Sequence, residues 1–215
     1  MRLRHARIEL ELHELSPRSG PALLLLHALG GSSADWAEAA AQWPGRVYAL
    51  DFSGHGRSQW VHGGVYLPEQ LAGDADAALA HTGPAAVAGA GLGAYVALLL
   101  AGARREQVRA ALLMPGRGLH GGGAEPNFDR PVLTSLTPAA HADLPPGCDP
   151  LLCALELDPR PPAYAERFAA AACRLLLRAD GSPLPPWWEA VRSAPTAESI
   201  DGDARQALAR LAAAI

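Results

Sequence analysis

The sequence predicts a single α/β domain over residues 1–215, with a mostly parallel central sheet and helices on both of its faces. Three observations predict this fold. Apolar runs of strand length alternate along the chain with stretches of helical length and pattern. Most of these runs are continuously apolar, which is typical of parallel strands buried on both faces. No internal repeat or second domain is visible in the 215 residues, a length that suits one large domain.

The first third of the chain contains three predicted strands. In residues 8–13, apolar and polar residues alternate, which predicts a half-exposed antiparallel strand. The apolar runs at residues 22–26 and 46–52 predict strands that are buried on both faces. Between these two runs, Ser32 and Ser33 can cap a helix that continues to Trp43.

The rest of the chain continues the alternation of helices and strands. Pro68 favours the start of a helix that Gly83 closes. The elements predicted after it are a strand at 85–88, an apolar helix at 94–103, strands at 109–114 and 173–178, a helix at 186–191, a weak strand at 196–200 and an amphipathic helix from Asp203. Between about residues 116 and 162 the pattern dissolves into glycine, proline and short apolar pieces, which predicts an inserted lid.

The composition excludes several functions. The formal net charge is −4 and no basic stripe is visible, so we expect no nucleic-acid partner. Every cationic side chain is arginine, which excludes a catalytic lysine and, with abundant alanine and glycine, is typical of a GC-rich bacterial genome. The three cysteines form no CxxC pair, the N-terminus does not resemble a signal peptide, and the apolar runs are too short to span a bilayer. We therefore expect a cytoplasmic protein with no membrane partner, no metal and no cofactor.

Three glycine-rich segments occur at the ends of predicted strands. Residues 27–31 read HALGG, residues 51–58 read DFSGHGRS and residues 89–93 read GAGLG. In this order and spacing they resemble the HGxxG segment, the DxxGxGxS turn and the GxSxG nucleophile elbow of the α/β-hydrolase fold family. The resemblance covers most of the chain and implies the α/β-hydrolase fold.

The resemblance also implies where a catalytic triad would stand. The central residue of the elbow is serine in the family, but here it is Gly91, which has no side chain. Asp180 matches the position of the acid, after the predicted strand at 173–178. The histidine should follow the last strand, yet the chain has no histidine beyond His141. Because the triad works as a unit, ordinary serine-hydrolase activity is not expected.

The remaining part of the implied site is the oxyanion hole. The amide of Leu92, at the start of the elbow helix, and that of Ala28 or Leu29 should converge on one point next to Gly91. Free amides at a helix N-terminus attract carboxylate or carbonyl oxygen. Because the serine hydroxyl and the imidazole are absent, we expect an open pocket there. The resulting hypothesis is that the pocket binds a small carbonyl- or carboxylate-bearing ligand without cleaving it.

Two other hypotheses remain open. His120, on the loop after the strand at 109–114, could face Asp180 and activate water in a hydrolase or lyase of altered mechanism, although an exposed loop histidine is the simpler interpretation. A non-catalytic interaction module would instead use the lid and the pair Trp187 and Trp188, one of which could line a homodimer interface. Core positions are the default for both tryptophans, and structural roles are favoured for His27 and His55.

Overall fold

The structure is a computed structural model that describes residues 1–61, 65–120, 144–156 and 158–215. Its sheet has eight strands in the order β1-β2-β4-β3-β5-β6-β7-β8. The strands are β1 (Arg2–His5), β2 (Ile8–Pro17), β3 (Ala22–Leu26), β4 (Arg46–Asp51), β5 (Ala85–Ala90), β6 (Val108–Met114), β7 (Leu175–Arg178) and β8 (Ala197–Ile200). β2 pairs antiparallel with β1 and β4, and every other neighbouring pair is parallel. The predicted mostly parallel sheet is confirmed.

Helices cover both faces of this sheet. The α-helices are α1 (Ala37–Ala40), α2 (Pro68–Thr82), α3 (Leu92–Ala103), α4 (Pro162–Ala171), α5 (Pro186–Arg192) and α6 (Ala204–Ala212), and two 3₁₀ helices span Ser33–Trp36 and Pro150–Leu155. Leu24 and Leu26 of β3 face the apolar core that contains α2, α3 and α5, whereas Leu23 and Leu25 face the core that contains α6. Burial on both faces explains why β3 is apolar at every position.

Most predicted elements are present, with shifted ends. α3 begins at Leu92 rather than at residue 94, and the helix predicted from Ser32 to Trp43 is a 3₁₀ turn followed by one short α-helical turn. Besides the 3₁₀ helix at Pro150–Leu155, two elements were not predicted, β1 and α4. β1 is an edge strand of charged and half-exposed residues, and α4 buries only two alanines fully, so neither carries a strong apolar pattern.

Most of the predicted lid, residues 121–143 and 157, lies outside the described residues, and the lid stays a prediction there. The described parts of the region belong to the main body. Leu119, Leu152 and Leu155 are buried in the same core as α3. No helix in the described part of the chain is long and apolar enough to cross a membrane.

Candidate functional site

His27 lies directly after β3 and is buried. Its Nδ1 is 2.8 Å from the carbonyl oxygen of Ala28, and its Nε2 accepts the backbone N–H of Phe52 at 3.2 Å. Burial lowers the pKa of His27, so the ring is neutral at pH 7. With both nitrogens engaged, His27 joins the turns after β3 and β4 and has the structural role expected of it.

Asp51 at the end of β4 organises the turn at residues 51–58. One carboxylate oxygen accepts the backbone N–H of Ser33 at 2.7 Å, and the other accepts that of Arg57 at 2.9 Å and lies 3.1 Å from His13 Nε2. Burial alone would raise the pKa of Asp51, but these donors outweigh it and the pKa is lowered. Asp51 is therefore a buried, ionised structural anchor.

His55 in the same turn is fully buried rather than solvent-facing. Its ring packs edge-to-face on His27, with centroids 4.7 Å apart, and its Nδ1 lies 3.3 Å from the carbonyl oxygen of Ser53. Burial, reinforced by the neighbouring His27, lowers the pKa of His55 to about 3. A histidine that stays neutral in the core is part of the packing and not a base at the sheet edge.

Gly91 forms a sharp turn between β5 and α3, with φ 53° and ψ −116°. Its N–H donates to the carbonyl oxygen of Met114 at 3.0 Å, which ties the turn to the end of β6. Gly89 and Gly93 pack so closely that a Cβ on Gly89 would overlap the Gly93 carbonyl group. The strand–turn–helix geometry expected of a nucleophile elbow is present, with glycine at its centre.

The amides of Leu29 and Leu92 converge on one acceptor, and Leu29 is one of the two residues that the sequence left open on the β3 side. Their role as an oxyanion hole stays a prediction. However, the site is not open. The backbone carbonyl oxygen of Arg117 accepts the N–H of Leu29 at 3.1 Å and the N–H of Leu92 at 3.0 Å. The expectation of an empty pocket at these amides is therefore wrong in this structure, because the chain fills the position with its own peptide carbonyl.

Three glycines make this close approach possible. We call residues 115–118, which follow β6, the covering loop. A Cβ on Gly91 would overlap the Arg117 carbonyl oxygen and lie 2.5 Å from the carbonyl carbon of Gly116. A Cβ on Gly116 would lie 2.8 Å from the Gly91 nitrogen, and one on Gly118 would lie 2.9 Å from Leu29 Cβ. The glycine at position 91 and the position of the Arg117 carbonyl are therefore linked, because a Cβ at position 91 would overlap the covering loop where it lies.

The covering loop is held by residues 149–156, which we call the anchoring segment. The N–H of Leu119 donates to the carbonyl oxygen of Leu155 at 2.6 Å, and that of His120 donates to the carbonyl oxygen of Glu156 at 2.9 Å. The Glu156 carboxylate also accepts Arg117 Nε at 2.5 Å. The glycines that flank Arg117 were the signal in the sequence for this backbone role.

The two predicted acid–base residues, His120 and Asp180, have different partners in the described part of the chain. The Asp180 carboxylate is exposed and accepts the N–H of Ser182 at 3.1 Å and its hydroxyl at 2.5 Å, and these hydrogen bonds lower the pKa of Asp180. His120 lies two residues after the covering loop and has a φ of 60°. Within the described residues, no hydrogen bond or ion pair joins His120 to Asp180. Their catalytic role stays a prediction without a supporting contact.

The position where a triad histidine would stand is occupied by a helix cap. β8 ends at Ile200, and the Asp203 side chain accepts the backbone N–H of Gln206 at 2.8 Å at the start of α6. In return the Gln206 side chain accepts the N–H of Asp203 at 2.9 Å. The loop after the last strand is thus committed to starting a helix.

A small cleft of about 220 Å³, including its open mouth, lies beside Gly91. Its interior has room for about one water molecule. The lining residues include Gly91, Gly116, Leu184, Trp187 and Trp188. Both tryptophans are buried in the core, so neither forms the exposed aromatic surface that a homodimer interface would use.

Comparisons with known proteins agree with this fold. The sequence profile of the Alpha/beta hydrolase family matches residues 23–214. Among solved structures, the enol-lactonase from Burkholderia xenovorans is similar, with a TM-score of 0.72, 17% identity, and coverage of 98% of this chain and 96% of that chain. An alpha/beta hydrolase from Sphaerobacter thermophilus has a TM-score of 0.68 and 18% identity, covering 100% of this chain and 99% of that chain.

A third similar structure is an epimerase. The bottromycin epimerase BotH, in complex with bottromycin A2, has a TM-score of 0.64 and 20% identity, covering 99% of this chain and 95% of that chain. No curated protein sequence matches the chain. At these identities the structural similarities establish the fold alone.

Proposed function

The chain belongs to the alpha/beta hydrolase family, and we propose that it is a non-hydrolytic member that binds a small carbonyl- or carboxylate-bearing ligand at the oxyanion amides. One observation carries the proposal. The amides of Leu29 and Leu92 already hold a carbonyl oxygen, that of Arg117, at hydrogen-bond distance. The site is thus able to hold such a group, and the residue at the centre of the elbow, Gly91, supplies no nucleophile.

The absence of hydrolysis follows from the groups around the amides. Acyl transfer by this family needs a nucleophile, a base and oxyanion donors together. Gly91 supplies no nucleophile, and Asp180 is engaged with Ser182 rather than with a histidine. Oxyanion donors alone stabilise a developing charge but do not create the attacking group.

Ligand binding requires that the covering loop leaves the amides. Exchanging one carbonyl acceptor for another changes the hydrogen-bond energy little, since a net hydrogen bond contributes about 1 kcal/mol. A carboxylate gains more, because charged acceptors form stronger hydrogen bonds and the N-terminus of α3 favours negative charge. The ion pair between Arg117 and Glu156 is partly exposed and opposes opening by about 1 kcal/mol or less. We therefore expect a carboxylate to displace the Arg117 carbonyl more readily than a neutral group does.

The alternative hypothesis is a hydrolase or lyase of altered mechanism that uses His120 and Asp180. In the described part of the chain, no contact between these two residues supports it. The similarity to an epimerase is consistent with non-hydrolytic use of the fold, but it concerns that protein only. The binding proposal is therefore the one that the contacts at the site favour.

Two measurements test the proposal. In an ester assay with p-nitrophenyl acetate, we expect the wild type to match the buffer rate. Hydrolysis that disappears in His120→Ala would overturn the non-hydrolytic part. In ¹⁵N-labelled protein titrated with sodium acetate, we expect the amide signals of Leu29 and Leu92 to shift and saturate. The Gly31 amide, which donates to Ala28 in the same turn at 2.9 Å, serves as the control and should stay in place. If Leu29 and Leu92 do not respond, the binding part is wrong.

A further inference from the structure

The two residues that follow the covering loop have a strained backbone. Leu119 has a φ of 55° and His120 a φ of 60°, in the left-handed region that residues with a Cβ rarely adopt. In the described part of the chain, Ala6 is the one other non-glycine residue with a positive φ. Two strained residues in succession persist only where the surrounding structure holds them in place. The contacts that hold these two residues therefore also decide whether the covering loop stays closed.

The anchoring segment supplies such contacts. Its last two carbonyl oxygens accept the N–H groups of the two strained residues, Leu119 and His120, at 2.6 and 2.9 Å. These hydrogen bonds begin one residue beyond the covering loop. They therefore help to fix the place of the Arg117 carbonyl oxygen, which occupies the amides of Leu29 and Leu92.

The anchoring segment is itself fixed at its first residue, Asp149, which is buried. Its carboxylate accepts the hydroxyl of Tyr66 at 2.7 Å, and its N–H donates to the carbonyl oxygen of Gly54 at 2.8 Å. The Tyr66 ring lies directly on Gly54, where a Cβ would be 2.7 Å from a ring carbon. The Tyr66 hydroxyl also accepts the N–H of Val61 at 2.9 Å. We call the hydrogen bond between Tyr66 and Asp149 the latch.

The latch and the backbone strain act in opposite directions. Both side chains of the latch are buried, so a break that leaves them in the core removes a partner from each without supplying water. Burial raises the pKa of Tyr66, which keeps its hydroxyl protonated and able to donate. The latch thus favours the closed arrangement, whereas the positive φ angles of Leu119 and His120 favour opening.

We propose that the covering loop is a strained, self-inhibitory segment, which the latch holds on the amides of Leu29 and Leu92. When the latch breaks, the anchoring segment releases the two strained residues, their backbone relaxes, and the Arg117 carbonyl leaves the amides. This inference rests on the function proposed above, because it describes how access to the same site is regulated. It implies that the hydroxyl of Tyr66, which does not touch the amides, controls the affinity for the ligand.

Tyr66→Phe removes the latch and keeps the buried ring. We expect hydrogen exchange at the Leu29 and Leu92 amides to become about threefold to tenfold faster, the range that corresponds to one net hydrogen bond. The apparent affinity for acetate should rise by a similar factor, because a larger fraction of the protein is open. The Gly91 amide, which donates to Met114, should keep its exchange rate. A substitution that only weakens the fold does not tighten binding.

Thr196→Val is the matched control. The Thr196 hydroxyl donates to the carbonyl oxygen of Ala169 at 2.7 Å and joins the start of β8 to α4. The variant deletes a hydrogen bond between distant parts of the sequence, as Tyr66→Phe does, but outside the covering loop, the anchoring segment and the latch. Exchange at Leu29 and Leu92 should therefore change no more than exchange at Gly91 does.

Asp149→Asn carries the same test if Tyr66→Phe does not fold. The two carboxylate oxygens of Asp149 accept different donors, the Tyr66 hydroxyl and, at 3.0 Å, the N–H of Leu151. Asparagine replaces one of these oxygens by a donor, so one of the two hydrogen bonds is lost. Either loss loosens the anchoring segment, and the expected changes in exchange and in acetate affinity have the same direction.

Two changes at His120 test the strain separately from the latch. His120→Gly removes the Cβ that makes a positive φ unfavourable and so stabilises the closed arrangement. We expect exchange at Leu29 and Leu92 to become about twofold to fivefold slower, and acetate to bind more weakly by a similar factor. His120→Ala keeps the Cβ and removes only the imidazole, so it should match the wild type.

The exchange experiment uses the protein without ligand and decides on the latch by itself. The proposal is overturned if Tyr66→Phe accelerates Gly91 as much as Leu29 and Leu92, or if His120→Gly and His120→Ala behave alike. It is also wrong if acetate binds the wild type and Tyr66→Phe equally well. If the amides of Tyr66→Phe exchange faster but acetate binds neither protein, the latch is supported and the function proposed for the amides fails.

Discussion

The carboxyl edge of the sheet has two regions whose side chains differ in what they bond to. At the ends of β3 and β4, three side chains each accept a backbone N–H from another segment. His27 accepts that of Phe52, Asp51 that of Ser33 and Ser58 that of Glu11. At the elbow and after β7, Gly91 has no side chain and Asp180 is exposed and accepts hydrogen bonds from Ser182 in its own turn. The motifs that identify the family in this chain are thus those that the fold requires. At the two positions that the resemblance assigns to the nucleophile and the acid, the chain has Gly91 and an Asp180 that accepts hydrogen bonds from Ser182.

The largest expected effect contrasts Asp51 with Asp180. Asp51→Ala removes a buried acceptor of two backbone N–H groups, and we expect it to lower the free energy of unfolding by about 3 kcal/mol or more. Asp180→Ala changes an exposed side chain, so the expected loss is about 0.5 kcal/mol or less. Urea unfolding measures both. Similar losses would show that the two regions do not differ in structural importance.

The second contrast concerns two glycines with positive φ. Gly91→Ser places a side chain against the covering loop, and we expect it to cost about 2–4 kcal/mol in free energy of unfolding without producing ester hydrolysis. Gly83 has φ 72° and nothing within 4 Å of a Cβ, so Gly83→Ser should cost only the backbone strain, about 1–2 kcal/mol. Equal costs in thermal or urea unfolding would mean that the loop yields freely to a side chain.

Some features of this region could be predicted from the sequence, and others could not. β3 and α3 could be predicted because burial on all sides leaves continuous apolar runs. The motifs predicted that the amide of Leu92 and that of Ala28 or Leu29 meet next to Gly91, without deciding between the two. The occupant of the amides could not be predicted in the same way. It is the backbone carbonyl of Arg117, a group that every residue has, so only its flanking glycines distinguish it.

A third and smaller effect concerns the acid sensitivity of the region after β4. His55 has a pKa of about 3 in the folded chain, against an ordinary value near 6.5, because it is buried. A depressed pKa means that the unfolded chain binds the extra proton, so the stability present above pH 6.5 is lost as the pH falls towards 3. Between pH 6.5 and 5 the expected loss from His55 is about 2 kcal/mol.

The measurement compares urea unfolding of the wild type and His55→Phe at these two pH values. The variant keeps an aromatic ring but cannot take up a proton, so its stability should fall less. The two proteins must be compared because His5 also affects how stability changes with pH. The pKa of His5 is raised, chiefly by its hydrogen bond to Asp74, so its contribution to stability changes with pH in the opposite direction. That contribution is present at low pH and lost as the pH rises, and it cancels in the comparison. Identical slopes for the two proteins would contradict the assignment.

The smallest expected effect concerns how firmly the covering loop is held next to Gly91. Glu156→Gln removes the charge that faces Arg117 but keeps the backbone bond from His120, so we expect global stability to change by about 1 kcal/mol or less. Local opening of the covering loop should become easier, and hydrogen exchange at Leu29 and Leu92 should become up to about fivefold faster.

The Gly91 amide provides the internal reference for this exchange experiment. It donates to Met114 at the end of β6 rather than to the covering loop, so its exchange should stay at the wild-type rate. If all three amides accelerate together, Glu156 stabilises the whole body and the covering loop does not open by itself. If Leu29 and Leu92 accelerate alone, the loop is an independent unit, which is the condition under which a ligand can replace the Arg117 carbonyl without unfolding the sheet edge.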